Sequence, residues 1–157
     1  MLIPYLNITD CIGIASLGGN VYRLDFPEYS RLATDEEILH AERDYYCDLV
    51  NQERNKREQN TFPYLGKLFN SDPVSVQRLN GAWCAAKMAQ DLGADFSIGW
   101  TCADNTDMVL GVSEMLGIIP ALASYVARLH VYARGLKAAI RESTEPSTIQ
   151  IYTGWPE

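Results

Sequence analysis

Phe62-Pro63-Tyr64-Leu65-Gly66-Lys67-Leu68-Phe69, followed at once by Ser71-Asp72-Pro73, is the stretch on which the fold turns. Aromatic and aliphatic residues flank a central Gly66, and glycine tolerates the positive φ of a tight hairpin turn. Ser71-Asp72-Pro73 then supplies an N-cap side chain with proline at the first helical position, where its missing N–H costs nothing. A hairpin running directly into a helix excludes an all-α and an all-β chain and sets the expectation of α+β.

Upstream, Thr34-Asp35-Glu36-Glu37 has the form of a capping box, with a hydroxyl at the N-cap and a carboxylate three residues on. The helix it opens is expected over about 35–58, with Asp35, Glu36 and Glu37 in the first turn and Arg54, Lys56 and Arg57 in the last, complementing the macrodipole at both ends. Downstream of Pro73, Leu79, Ala82, Trp83, Ala86, Ala89 and Leu92 recur at helical spacing and Gly93 is a natural stop, giving a helix over about 73–92 that buries Trp83. Phe96, Ile98 and Trp100 alternate with Ser97 and Gly99. Asp104-Asn105-Thr106-Asp107 reads as a turn and Met108–Val112 as the returning strand, a second hairpin over about 96–112. Ser113 is the N-cap candidate of a third helix over about 114–142, in which Pro120 marks either a kink or the true start.

The ends are less regular. Val21–Phe26 alternates with period two, as in a half-buried strand, within a segment expected to be an extended arm or small hairpin over residues 1–33. Thr148–Tyr152 alternates again and predicts a short C-terminal strand able to pair with that arm. Residues 34–157 are expected to form a single α+β domain of three helices alternating with two hairpins.

Composition narrows the function classes. The chain has 157 residues, 47% hydrophobic and 21% charged, and a net charge of -7. That balance disfavours nucleic acid and anionic membrane and makes protein partners the default. No basic residue precedes the apolar start, Met1-Leu2-Ile3-Pro4-Tyr5, so no secretory leader is expected. No membrane span is expected either, because the most apolar run, Met115–Tyr132, contains Pro120, Arg128 and His130. Cys11, Cys47, Cys84 and Cys102 are scattered without a C-x-x-C pair, and free thiols are the simplest reading.

Candidate chemistry is sparse. His40 and His130 lie on predicted helices with no nucleophile motif beside them, and no Gly-rich phosphate loop is present, so no catalytic, cofactor-binding or metal site and no cofactor is expected. Asp104-Asn105-Thr106-Asp107 offers oxygens to a hard cation but lacks the glycine and distal glutamate of a calcium loop, and a self-bonded turn is the plainer reading. In the third helix Leu122, Tyr125, Leu129, Tyr132 and Leu136 alternate spacings of three and four, as in a coiled-coil seam, and are the candidate interface. The same seam also fits a central core helix.

From about Asp48 to Glu142 a set of motifs occurs in a fixed order: Asn51-Gln52-Glu53-Arg54 with Arg57, the Gly66-Lys67 hairpin, Ser71-Asp72 and Arg78-Leu79, Trp100-Thr101-Cys102-Ala103-Asp104-Asn105, and Leu129-His130 with Leu136-Lys137-Ala138-Ala139-Ile140. In them the chain resembles a family of small phage and prophage proteins of unknown function encoded near tail-fibre genes. Residues 1–33 have no counterpart in that pattern. The resemblance implies association with a tail fibre or baseplate, no enzymatic activity, other phage tail proteins as partners, and a homo-oligomer or symmetric repeat in the tail. It also implies a place in the virion tail after assembly in the host cytoplasm. A tail-fibre assembly chaperone and a phage-encoded inhibitor of a host protein are the alternatives. Gly66, Trp100, Asp104 and Asn105 carry over as fold-defining turn and core positions, beside Trp83.

Overall fold

A computed structural model describes the backbone of residues 12–17, 20–25 and 29–32 and the whole of residues 34–157. Strands β1 (Ile12–Leu17), β2 (Asn20–Asp25) and β3 (Tyr29–Leu32) form an antiparallel sheet in the order β1-β2-β3. Then come α1 (Asp35–Glu58), β4 (Thr61–Tyr64), β5 (Lys67–Asn70), α2 (Pro73–Leu92), β6 (Ser97–Thr101), β7 (Asp107–Gly111) and α3 (Val112–Glu142). The fold is α+β, with three helices alternating with the two hairpins β4–β5 and β6–β7. The expected arm and Cys11 fall partly or wholly outside the described residues.

Helix boundaries follow local chemistry. At α1 the Thr34 N–H donates to Glu37 Oε2 (3.0 Å) while the Glu37 N–H donates to Thr34 Oγ1 (3.2 Å), a reciprocal capping box. At α2 one oxygen of Asp72 accepts from Val74 N (3.0 Å) and Ser75 N (3.1 Å), and the helix ends at Gly93, whose N–H donates to the Gln90 carbonyl and whose φ of 64° turns the Ala94 N–H back to the Ala89 carbonyl at 2.9 Å. Ser113 is not the cap of α3. The helix starts at Val112 because Gly111 takes the N-cap place, and Glu114 Oε2 reaches back to its N–H at 3.1 Å.

Pro120 lies inside α3 and does not begin it. Its ring nitrogen leaves the Leu116 carbonyl without the donor a helix supplies four residues on. The indole Nε1–H of Trp83 donates to that oxygen at 3.1 Å. Two residues earlier in α3, Tyr64 Oη donates to the Glu114 carbonyl at 2.6 Å, and a Cβ on Gly117 would collide with that hydroxyl, so glycine there admits the tyrosine. Trp83 is therefore half-buried rather than buried, held by its polar edge as much as by its apolar body.

Pro120 does not interrupt the helix: α3, 31 residues long, is apolar and long enough to cross a membrane by length and composition. In this fold its buried side chains include Met115, Ile118, Tyr125, Leu129, Ala133 and Ile140.

The chain divides into two compact units, with the divisions falling inside α1 and α3. The first takes the chain up to Val50 with Gly135–Ile151. It buries Cys47, Val50, Ile140, Pro146 and Ile151, and Arg43 donates from Nε (3.0 Å) and Nη2 (2.8 Å) to the Ser143 carbonyl just past α3. The second takes Asn51–Arg134 with Tyr152–Glu157 and centres on Phe62, Phe69, Leu79, Leu110, Met115, Ile118 and Leu129. Phe62 faces Phe69 across the β4–β5 register with ring centroids 5.8 Å apart.

The expected C-terminal strand is absent from the described residues. Pro146–Thr148 is a single 3-10 turn, and Ile149 follows it without joining a ladder. The period-two pattern of this segment marks side-chain anchoring, since Ile151 is buried and Ile149 half-buried. In the second unit, Tyr132 Oη donates to the Thr153 carbonyl at 2.8 Å and Arg57 Nη2 to the Tyr152 carbonyl at 3.3 Å. Side chains satisfy groups that a strand partner would otherwise take.

Candidate functional site

The two hairpin turns of the second unit meet. Between β4 and β5, Leu65 (φ 50°) and Gly66 (φ 74°) both lie in the left-handed region, the requirement of a type I′ turn, whose twist matches that of its strands. Lys67 leaves this turn and places Nζ 3.0 Å from Asp104 Oδ2 and 2.9 Å from Thr106 Oγ1. Between β6 and β7, Asp104 Oδ1 accepts from the Thr106 N–H (3.0 Å) and hydroxyl (2.6 Å), and Asn105 takes φ 60°. Ala103 N donates to the Leu68 carbonyl at 2.8 Å, which ties one hairpin to the other through the backbone.

Electrostatics follow from these bonds. The Thr106 hydroxyl and N–H, and then the Lys67 ammonium, stabilise the Asp104 carboxylate and hold its pKa well below the usual carboxylate range. Both of its oxygens are engaged by protein donors, and across the strand pair Asp107 Oδ1 accepts from Thr101 Oγ1 at 2.8 Å. The acidic quartet is thus a self-bonded turn braced by Lys67. Gly66, Asp104 and Asn105 are brought together as turn positions, while Trp100 is half-buried on β6.

Beside this brace lies an open cleft of about 340 Å³. Asn70 at the end of β5, Ser75 and Arg78 on the first turns of α2, Ile98–Thr101 of β6 with Cys102 just past it, and Asn105 line it. Trp100 and Asn105 were legible in the sequence as structural positions. Asn70 and Gly99 were not, although a glycine in the middle of an alternating strand was a visible irregularity, and Arg78 entered only as part of an ordered motif.

The candidate interface on α3 is used largely within the chain. Leu129 is fully buried and Tyr125 nearly so, with the Arg128 guanidinium 5.8 Å from the Tyr125 ring centroid. Tyr132 packs on Trp155 at 4.9 Å, and Leu122 and Leu136 are half-buried. Tyr125 and Leu129 therefore lie in the core, while Leu122, Tyr132 and Leu136 stay partly exposed. Around it, Arg57 lies 5.4 Å from the Trp155 ring centroid and pairs with Glu53 at 2.7 Å, while Glu58 Oε1 lies 3.1 Å from Arg54 Nε and 2.9 Å from His130 Nε2. His40 is exposed beside Asp44 at 3.1 Å.

The apolar stripe that does face outward is on α2. Val74, Met88 and Leu92 are 54%, 64% and 78% exposed, on the face opposite Leu79, Trp83 and Ala86, with Arg78, Gly81 and Ala85 between them. Leu65 and Leu68 on the first hairpin and Val109 on β7 are exposed as well. Cys47, Cys84 and Cys102 are free thiols, and burial pushes the Cys47 thiol pKa up. Among the described residues, no group of three or more His, Cys, Asp or Glu side chains is placed to hold a metal ion.

The sequence profile of a domain of unknown function, DUF4376, matches residues 42–153. No curated protein and no solved structure matches the chain.

Proposed function

Since the chain belongs to the DUF4376 family, we propose that it is a structural or accessory protein of a bacteriophage tail, associated with the fibre or baseplate and acting through protein contacts. The observation that carries the contact part of this reading is the outward stripe of α2. A helix with one buried face and a second apolar face of Val74, Met88 and Leu92 has the pattern of an element covered on both sides in an assembly. The tail assignment rests on the resemblance of the ordered motifs to those of phage and prophage proteins, in particular the Gly66-Lys67 hairpin and the Trp100-to-Asn105 loop.

In this reading the Lys67 brace sets a rigid pair of hairpins, and the tail partners cover the exposed apolar residues. Mass spectrometry of density-purified particles from the source phage tests it. The expected result is a fixed copy ratio to the major tail proteins. Absence from the particle refutes the virion role and leaves a chaperone that departs before completion, or an inhibitor of a host protein, separated by what co-purifies from infected cells.

A further inference from the structure

We infer that the cleft between the two hairpins and α2 binds an extended peptide carrying a carboxylate, supplied by a partner protein. The inference deepens the proposed contact function and rests on it. Among the described residues β6 is paired with β7 alone, so its other edge is open, and five consecutive residues, Ile98–Cys102, line the cleft. A strand edge running along a groove is the geometry by which an extended peptide adds to a sheet.

Gly99 is a second and independent observation. It lies mid-strand, where glycine weakens a sheet, yet it has no positive φ and a Cβ built on it meets no atom within 4 Å. Neither backbone conformation nor packing within this chain calls for glycine there. Close approach of another backbone does.

Charge selects the occupant. Arg78 is the cleft's one charged lining residue, and among the described residues its guanidinium has no ion-pair or hydrogen-bond partner. The side chains of Asn70, Trp100 and Asn105 are likewise without partners among the described residues. The nearby carboxylates are engaged elsewhere: Asp104 with Lys67 and Thr106, Asp107 with Thr101, and Asp72 as the cap of α2. A guanidinium fork, an indole N–H and two amides suit a carboxylate together with peptide amide groups. A volume near 340 Å³ lies at the low end of ligand sites and suits a short segment.

The test is selection of a random hexapeptide library against the full-length chain, followed by titration of synthesised winners into isotope-labelled protein. The expected result is an enriched set with Asp or Glu at one fixed position, shifting the amides of Ile98–Cys102 and the Trp100 indole N–H. Replacing the acidic residue by its amide, or Arg78→Gln in the protein, weakens binding about tenfold or more. Gly99→Val abolishes binding while leaving the thermal midpoint unchanged or higher, since valine favours a strand. Val131→Ser, on an exposed face of α3, binds as the wild type does.

Failure to enrich above an unrelated protein overturns the inference. So does equal binding by the amide peptides or by Arg78→Gln, and so does complete competition by acetate at the peptide's own concentration, which assigns the site to a lone carboxylate. Because the selection needs no virion, failure here leaves the particle measurement standing, and the reverse also holds.

Discussion

The contact between Trp83 and the carbonyl opened by Pro120 can be tested by a double-mutant cycle. Trp83→Phe keeps an aromatic body but removes the donor, leaving Leu116 O without either the helical N–H or the indole. An unsatisfied buried carbonyl costs about 1–3 kcal/mol, and because Trp83 is half-buried the lower end applies, about 1 kcal/mol. In a Pro120→Ala background the backbone at that position regains an N–H that reaches Leu116 O, so loss of the indole no longer strands the carbonyl. The coupling between the two substitutions is then about 1 kcal/mol, above the roughly 0.3–0.5 kcal/mol scatter of independent sites. Urea denaturation of the four proteins measures it, and in a chain of this size it appears as about 2–4 °C in calorimetric midpoint. Additive effects would refute the argument that Trp83 stands in for the missing helical donor.

Four further outcomes follow from the same geometry. Asp104→Asn lowers stability at neutral pH; because the folded pKa of Asp104 is depressed, the wild-type advantage is full above the ordinary carboxylate range, about pH 4, and shrinks as pH falls below it, which thermal melts across pH will show. Ser71 is buried with its hydroxyl unpartnered, so Ser71→Ala is neutral or stabilising by up to about 1–2 kcal/mol in denaturant titration. Leu129→Ala costs about 2–5 kcal/mol, whereas exposed Val131→Ala stays within about 0.5 kcal/mol, and near-equal losses would show that the seam does not form the core. A thiol reagent in native buffer labels exposed Cys84 rapidly, while buried Cys47 and Cys102 react only on unfolding.

Much of the fold was readable because its signals are local. Thr34 and Glu37, Asp72 and Pro73, and Gly93 act within a few residues of themselves, and the boundaries of α1 and α2 lie where those residues put them. The tight turn at Leu65-Gly66 was readable for the same reason. Ser113 misled because glycine at the N-cap leaves no side-chain signal, and the cap came instead from Glu114 reaching back. Thr148–Tyr152 misled because period two reports which side chains are buried, and a segment anchored by its side chains produces that period as readily as a strand does.

The candidate site was legible only in part. Trp100, Asp104 and Asn105 stood out as a compact motif, but their roles diverge: Asp104 braces Lys67, while Trp100 and Asn105 line a cleft. Arg78 stood out only as part of the ordered Arg78-Leu79 pair, since an arginine on an amphipathic helix is ordinary until a cleft is found beneath it. The sequence by itself determined the order of helices and hairpins, their caps and turns, and an acidic chain poor in titratable clusters, because each depends on residues close along the chain. Tertiary structure alone decided that Tyr125 and Leu129 of the α3 seam lie in the core, that Trp83 serves the carbonyl freed by Pro120, and that Lys67 meets Asp104 across 37 positions. Those pairings depend on which faces meet when apolar area is buried, and periodicity shows that a helix has an apolar face without showing what covers it.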